Sequence, residues 1–237
     1  MGDRRACAGH DTGGGLMTTP LTVRVAVAGD DLAYARSHWE RDHYLHRFPD
    51  PRSRTLVYVV TRDGEPVGAL GVNRPEASVT RPLWGSLADL AAGLVARSYW
   101  SVVNLCRVWL SPDIQRGGRW YIPNAATWAI GQVRRRCTLD YLLAYPPVAC
   151  EQPYTLDLMI SYCATAQHQG TIYRAAGFTL ARTNKRGLQT WTHLLRPLRA
   201  RDDARVRLAS LHDPRAQAHR ARRACPLTQL PLLFEVA

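Results

Sequence analysis

Lysine is nearly missing from this chain. Lys185 is the only one, so the 31 residues counted as Lys plus Arg are otherwise all arginine. Coding-composition bias can produce an arginine-for-lysine choice without any function behind it. It does not explain why only 19 Asp and Glu oppose those cations, leaving a net charge of +12 over 237 residues. Such an excess favours a polyanionic partner, most simply nucleic acid. Long apolar runs are missing too. No stretch reaches the ~18–20 residues of a membrane span, and Met1 to Pro20 has no apolar core of the kind a secretory leader carries. No membrane partner is expected, and the expected setting is cytoplasmic. Paired cysteines are also lacking. Cys7, Cys106, Cys137, Cys150, Cys163 and Cys225 form no C-x-x-C, and no histidine stands at zinc-finger spacing from them. Reduced thiols are the simplest reading, with Cys106 and Cys163 packed as small hydrophobes in apolar runs. The rest of the composition, 46% hydrophobic and 21% charged, is that of a globular protein and excludes a wholly disordered chain.

Three regions follow from the order of residues. Residues 1–20, with Gly13-Gly14-Gly15, read as a flexible tail. Residues 21–195 alternate strand and helix patterns. Residues 196–237 hold nine arginines against four acids and read as an Arg-rich extension. That extension is either a solvated appendage or a phosphate-contacting arm whose binding would weaken steeply with salt.

Within the middle region, Leu21 to Val27 alternates as a strand, and Asp30 is placed to cap a helix from Asp31 to about His46. Thr55 to Thr61 and Pro66 to Val72 flank Asp63-Gly64, a two-residue hairpin signal. Leu83 to Ala96 has helical spacing. Tyr99 to Leu110 (YWSVVNLCRVWL) is a long β-rich run suited to a central strand. A turn-rich loop to Pro123 follows, then Asn124 as the cap of a helix from Ala125 to about Arg136. Thr138 to Tyr145 fits either a short helix or a strand. Asp157 to Cys163 reads as a buried strand, Gly170 to Ala176 as a short helix stopped by Gly177, and Phe178 to Arg182 with Leu188 to Leu194 as a last hairpin.

A strand, a glycine loop and a helix in succession make an anion site, because the loop exposes N–H groups and the helix start adds partial positive charge. Gln115-Arg116-Gly117-Gly118-Arg119 is that loop, framed by Leu110 and Asn124. Taken alone, such a loop is more often only a loop. Tyr173-Arg174-Ala175-Ala176-Gly177-Phe178 follows one strand and one crossover later, and with it residues 21–195 resemble the GNAT acyltransferases. The Asp63–Ala69 hairpin is similar to the second and third strands of that family. The resemblance implies an α/β fold with a mixed central sheet, helices on both faces, and fourth and fifth strands splayed to hold acetyl-CoA. It also implies that Tyr173 sits near the sulfur and can protonate the departing thiolate; the unperturbed pKa values of a phenol and a thiol lie within about two units of one another.

A narrower resemblance rests on His43-Tyr44, on Arg107 inside the long strand, and on Ser161-Tyr162 followed by His168-x-Gly170-Thr171-Ile172-Tyr173. These resemble the Mom family, phage-encoded DNA modification proteins related to GNATs. The resemblance implies acetyl-CoA-dependent conversion of adenine N6 in DNA to a carbamoylmethyl (acetamido) form that protects phage DNA from restriction, in a phage- or prophage-encoded protein of the host cytoplasm. Tyr44, Arg107 and Tyr173 map onto its functional positions. An aspartate usual to the family between the Ser-Tyr strand and the histidine is missing from Cys163–Gln167, and Asp157 or Glu151 are the acids that could substitute.

The chemistry asks for such residues. Adenine N6 is a poor nucleophile inside the duplex, so the base must be extruded, stacked and hydrogen-bonded. Trp39, Tyr44 and Trp109 are candidates for stacking, His43 for a general base, Arg107 for an oxyanion or phosphate, and Ser161 and His168 for substrate contacts. Each has a plainer role available: His43 covering a helix face, His168 capping a helix, the tryptophans filling core. Direct acyl transfer would give N6-acetyladenine, whereas a carbamoylmethyl group needs an extra nitrogen. A redox metal, iron for example, is one route, with His43, His46 or His168 as ligands, although their spacing is not diagnostic. The alternatives are a general GNAT N-acetyltransferase acting on a protein or small amine, and a non-catalytic DNA-binding protein on a GNAT scaffold. The oligomeric state is open, a homodimer included.

Overall fold

The computed structural model describes residues 21–27, 29–75, 101–146, 156–166, 169–214 and 217–218. The expected tail over 1–20, the helix over Leu83 to Ala96, His168 and the end of the arginine-rich extension lie outside them. Seven strands are formed: β1 (Thr22–Val25), β2 (Leu56–Arg62), β3 (Glu65–Asn73), β4 (Val102–Leu110), β5 (Leu158–Ala164), β6 (Thr179–Thr183) and β7 (Leu188–Leu194). They make one sheet in the order β1-β2-β3-β4-β5-β7-β6. Every pair is antiparallel except β4 with β5, which is parallel.

Local chemistry accounts for the β2–β3 hairpin. Asp63 and Gly64 both take positive φ, 52° and 86°, as a two-residue turn matched to strand twist demands. The strands β2 to β5 read as near-continuous apolar runs because helices cover both faces. On one face, α1 (Gly29–Arg41) sets Ala35 and Trp39 against Val57 and Ala69. On the other, α2 (Ala125–Ala144) sets Ala129, Ile130, Val133, Cys137 and Tyr141 against Tyr58, Val60, Leu70, Val103 and Leu105. This is the mixed α/β sheet with helices on both faces that the resemblance implies.

Several expectations need correction. The helix expected to stop near Arg136 runs on to Ala144, because Cys137, Tyr141 and Leu142 extend the buried stripe begun by Val133. Asn124 stands at its N-cap position but in left-handed conformation (φ 59°), with no side-chain cap bond. Asp30 does not cap α1. Asp31 accepts from the Val27 amide at 3.3 Å and pairs with Arg24. The same helix ends at Arg41, short of His46, which itself takes φ 43°. A short helix α3 (Thr171–Ala175) lies between Gly170 and Gly177, at φ 70° and 82°. Past residue 196, α4 (Ala200–His212) buries Val206 to 3% exposure in the main core beside Leu195. Burying that side chain contributes about 1.5–3 kcal/mol, so the first part of the extension is held on the folded body.

Candidate active site

The site begins with a packing fault in the sheet. Gly71 pairs with Arg107 and Val72 with Leu105, so Cys106 is an extra residue that bulges β4. Past the bulge β4 leaves its parallel neighbour. The two strands pair only at Val102–Leu158, Val103–Met159 and Asn104–Ile160. Beyond that point Ser161 Oγ donates to the Leu105 carbonyl at 2.8 Å, a side chain spanning where the ladder has stopped. The expected splay of the fourth and fifth strands is therefore present, and it opens a slot between the two faces.

On the α2 face, Tyr173 lies edge-on to Phe178 at 5.9 Å and tilted to Trp191 at 6.2 Å. Gly170 makes the last contact possible, since a Cβ there would run into the Trp191 indole. The Ser161 side chain acts on the Tyr173 hydroxyl and favours its charged form. Burial pushes the phenol up to about 12, with Tyr44, Cys163 and Cys106 adding to the rise and Ser161 opposing it.

On the α1 face a cavity of about 1160 Å3 is lined by Tyr44, Arg47, Asn73, Asn104, Arg107 and Tyr162 among others. Arg107 is only 6% exposed. Its guanidinium donates to the carbonyls of Cys106 (2.7 Å) and Arg47 (3.2 and 3.4 Å), and no carboxylate among the described residues pairs with it. Burial pulls its pKa down, with Tyr44 and Cys106 opposing. A buried cation without a counter-charge is costly and favours an anion when one arrives. Burial likewise raises Tyr44, and Arg107 partly offsets that.

The other expected substrate residues fall differently. His43 is buried, stacks on Tyr44 at 4.5 Å and accepts the Leu45 amide on Nδ1 at 3.2 Å. It braces Tyr44 and does not line the cavity. Trp39 is fully buried, packed between Phe48 and the bare backbone of Gly71, so its ring offers no face to a base. Trp109 stacks on His38 at 3.8 Å and also stands outside the cavity lining. Tyr44, Phe48 and Tyr162 are the aromatic rings that do line it. Asp157 sits at the paired end of β5, where its amide bonds to the Ser101 carbonyl, away from the slot; Glu151 lies outside the described residues. Asn73 and Asn104 were missed at the sequence level, although an asparagine inside each of two central strands was a usable signal.

A second cavity, about 250 Å3, lies at the start of α2. Leu110, Gln115, Arg116, Asn124, Ala126 and Thr127 line it, with Thr171 and Ile172 of α3. Gln115 Nε2 donates to the Leu110 carbonyl at 2.6 Å and ties the loop to the end of β4. Gly117 takes φ 87°. Gly118 donates to the Gln115 carbonyl at 2.8 Å and has no room for a Cβ, which would press on the Pro112 and Asp113 carbonyls. Arg119 lies 5.1 Å over Trp120. Gly117, Gly118 and Arg119 shape the loop without lining the cavity. The amides of Arg116, Gly117, Ala126 and Thr127 have no protein partner among the described residues. With the helix start behind them, these groups suit a pyrophosphate. Among the described residues no three His, Cys, Asp or Glu cluster as a metal site. None of the described helices is long and apolar enough to cross a membrane.

No protein-family model matches the chain, and no curated protein matches it in sequence. Solved structures that resemble it are GNAT acetyltransferases. One, from Listeria monocytogenes, is 15% identical over 74% of this chain and 95% of its own, with a TM-score of 0.44. The aminoglycoside acetyltransferase AAC(6')-Ib, in complex with coenzyme A and kanamycin, is 13% identical over 79% of this chain and 99% of its own, with a TM-score of 0.42. A ribosomal-protein-alanine N-acetyltransferase from Escherichia coli is 14% identical over 76% of this chain and 97% of its own, with a TM-score of 0.41.

Proposed function

We propose that this protein is a GNAT-like transferase that draws on acetyl-CoA and modifies the N6 amine of adenine in DNA, as the Mom resemblance implies. One observation carries the reading: β4 and β5 part beyond Asn104–Ile160, with a phosphate-suited pocket on one face, whose lining residues Thr171 and Ile172 directly precede Tyr173, and an arginine-lined cavity on the other; Tyr173 itself lines neither cavity. Leu110, Gln115, Arg116, Asn124 and the amides of Ala126 and Thr127 would hold the nucleotide end of the thioester. In a direct transfer, whose product would be N6-acetyladenine and not the carbamoylmethyl form, that thioester would supply an activated carbonyl carbon and a leaving thiolate, the acylated nitrogen giving up one proton and the sulfur taking one. Tyr173 holds its proton on Oη, its pKa raised by burial, and offers it as a hydrogen bond to developing charge on sulfur. Arg107 supplies a fixed positive charge to the acceptor's side of the slot, and Tyr44 offers a ring against which a flipped base can stack. The net charge of +12 supports a polyanionic acceptor.

The test is nucleoside analysis by mass spectrometry of genomic DNA from a host expressing the protein, which also separates an acetyl from a carbamoylmethyl product. Unmodified adenosine beside an active positive control would sink the DNA reading. The same slot and hydroxyl would also serve transfer to a protein or small amine. Thiol release that proceeds equally without DNA would favour that second reading.

A further inference from the structure

Asn73 and Asn104 face each other across β3 and β4, at the last residue pair before β4 parts from β5. Both are only 9% exposed and both line the larger cavity. Asn104 Nδ2 donates to Asn73 Oδ1 at 3.2 Å. Asn104 Oδ1 is buried and has no partner among the described residues, and the Asn73 Nδ2 donor is likewise unused among them. Turning both amides over exchanges their roles but leaves the same remainder, one acceptor and one donor side by side. Asparagine is depleted in strands, and a buried amide oxygen without a partner is costly. Two such side chains at the mouth of the slot therefore point to a ligand that completes them.

We propose that Asn73 and Asn104 read the edge of a heteroaromatic base that carries an amino group beside a ring nitrogen, with Arg107 taking a phosphate of the same nucleotide. The proposal rests on the reading of the acceptor as a nucleic-acid base and says how that base is recognised. In adenine, an N6 hydrogen would go to Asn104 Oδ1 and the neighbouring ring nitrogen would accept from Asn73 Nδ2, the same acceptor and donor that a single asparagine amide offers adenine in DNA, here divided between two side chains. The second N6 hydrogen and the nitrogen itself remain open toward the slot. Rings for stacking (Tyr44, Tyr162) and cationic groups (Arg47, Arg107) share the lining, where Asp50 is the carboxylate among the described residues. Asp50 is engaged in its own turn, accepting the Arg52 amide at 2.7 Å. This combination fits a nucleotide better than a peptide amide.

The test uses the full-length protein saturated with coenzyme A, so that the smaller pocket is filled. Calorimetry then compares adenosine 5′-monophosphate with purine riboside 5′-monophosphate, which lacks the amino group. The adenine nucleotide should bind about tenfold more tightly, an advantage of ~1.4 kcal/mol. Asn104→Leu should bring the ratio of the two affinities near one, and Arg107→Gln should weaken both nucleotides alike. Equal affinities in the unaltered protein would overturn the base-reading role and leave the DNA reading standing, since a base can be admitted without being read. Failure of both nucleotides to bind, with coenzyme A still bound, would remove the nucleic-acid acceptor and its reader together. The comparison in the unaltered protein needs no variant, so a poorly folded Asn104→Leu does not protect the proposal.

Discussion

Removing the Tyr173 hydroxyl probes the slot most directly. In Tyr173→Phe the ring keeps its contacts with Phe178 and Trp191, and Ser161 keeps its bond to the Leu105 carbonyl. Since no hydrogen bond to the hydroxyl is formed within the described residues, the fold loses no more than one hydrogen bond's worth, about 0.5–1.5 kcal/mol, or a few degrees in Tm for a chain of this size. The chemistry loses more, though not by the route the unperturbed pKa values suggest. Burial holds the phenol at about 12, some three to four units above a free thiol at ~8.5. Complete proton transfer to a free thiolate would then be uphill by about 4–5 kcal/mol. The hydroxyl instead stabilises the developing sulfur charge by a charge-assisted hydrogen bond of about 1.5–3 kcal/mol, which is roughly 10- to 150-fold in kcat. Thiol release at saturating acetyl-CoA measures kcat, and thermal denaturation controls for folding. A fall of less than about threefold, with Tm within a few degrees, would show that the hydroxyl is not at the sulfur.

Three further outcomes are expected. In Gly118→Ala the new Cβ forces the loop off the Pro112 and Asp113 backbone and strains the Gly118–Gln115 and Trp120–Asp113 bonds (2.8 and 2.7 Å). At about 1–3 kcal/mol for the pair, coenzyme A affinity by calorimetry should drop roughly 5- to 150-fold, and unchanged affinity would separate the loop from the cofactor. Burial raises Cys106 from 9.0 and Tyr173 from 10.0, both to about 12, so the folded protein keeps protons that the unfolded chain has already lost. Their stabilising contribution is complete below about pH 9 and is lost as pH climbs toward 12, at ~1.4 kcal/mol per pH unit for each group in its window; a denaturation midpoint that stays flat from pH 8 to 11 would contradict this. Changing the exposed Arg201, Arg205 and Arg207 to Gln leaves Val206 in the core. It should flatten the salt dependence of DNA binding by about 0.9 for each phosphate no longer neutralised, whereas an unaltered slope would place α4 away from DNA.

Local patterns made most of the elements legible. Asp63-Gly64 between two β-branched runs could only be a tight hairpin, and Leu188–Leu194 is a strand with the very bounds its composition suggested. The helix over Thr138 to Ala144 was not legible, because TLDYLLA satisfies both periods; its union with Ala125–Arg136 came from the core, where Cys137 and Tyr141 continue a stripe begun far upstream. For the candidate site, residue identity pointed to Tyr44, Arg107, Ser161 and Tyr173; the structure sets Tyr44 and Arg107 in the larger cavity and Ser161 and Tyr173 outside both cavity linings, Ser161 where β5 parts from β4. It also moved Trp39 and Trp109 out of consideration as stacking platforms, since nothing in a tryptophan's neighbours along the chain tells which face of a sheet will cover it.

By itself, then, the order of amino acids determined the alternation of strands and helices, the positive charge of the whole, and the types of side chain available for chemistry. These follow from turn residues, periodicity and composition, all of which act over a few positions. Tertiary structure alone decided where β4 bulges at Cys106, that Ser161 replaces a ladder bond, and that Asn73 meets Asn104 where the strands divide. Those are pairings between residues from 31 to 56 positions apart, and their register is set by how two helices and a sheet pack, which no local signal encodes.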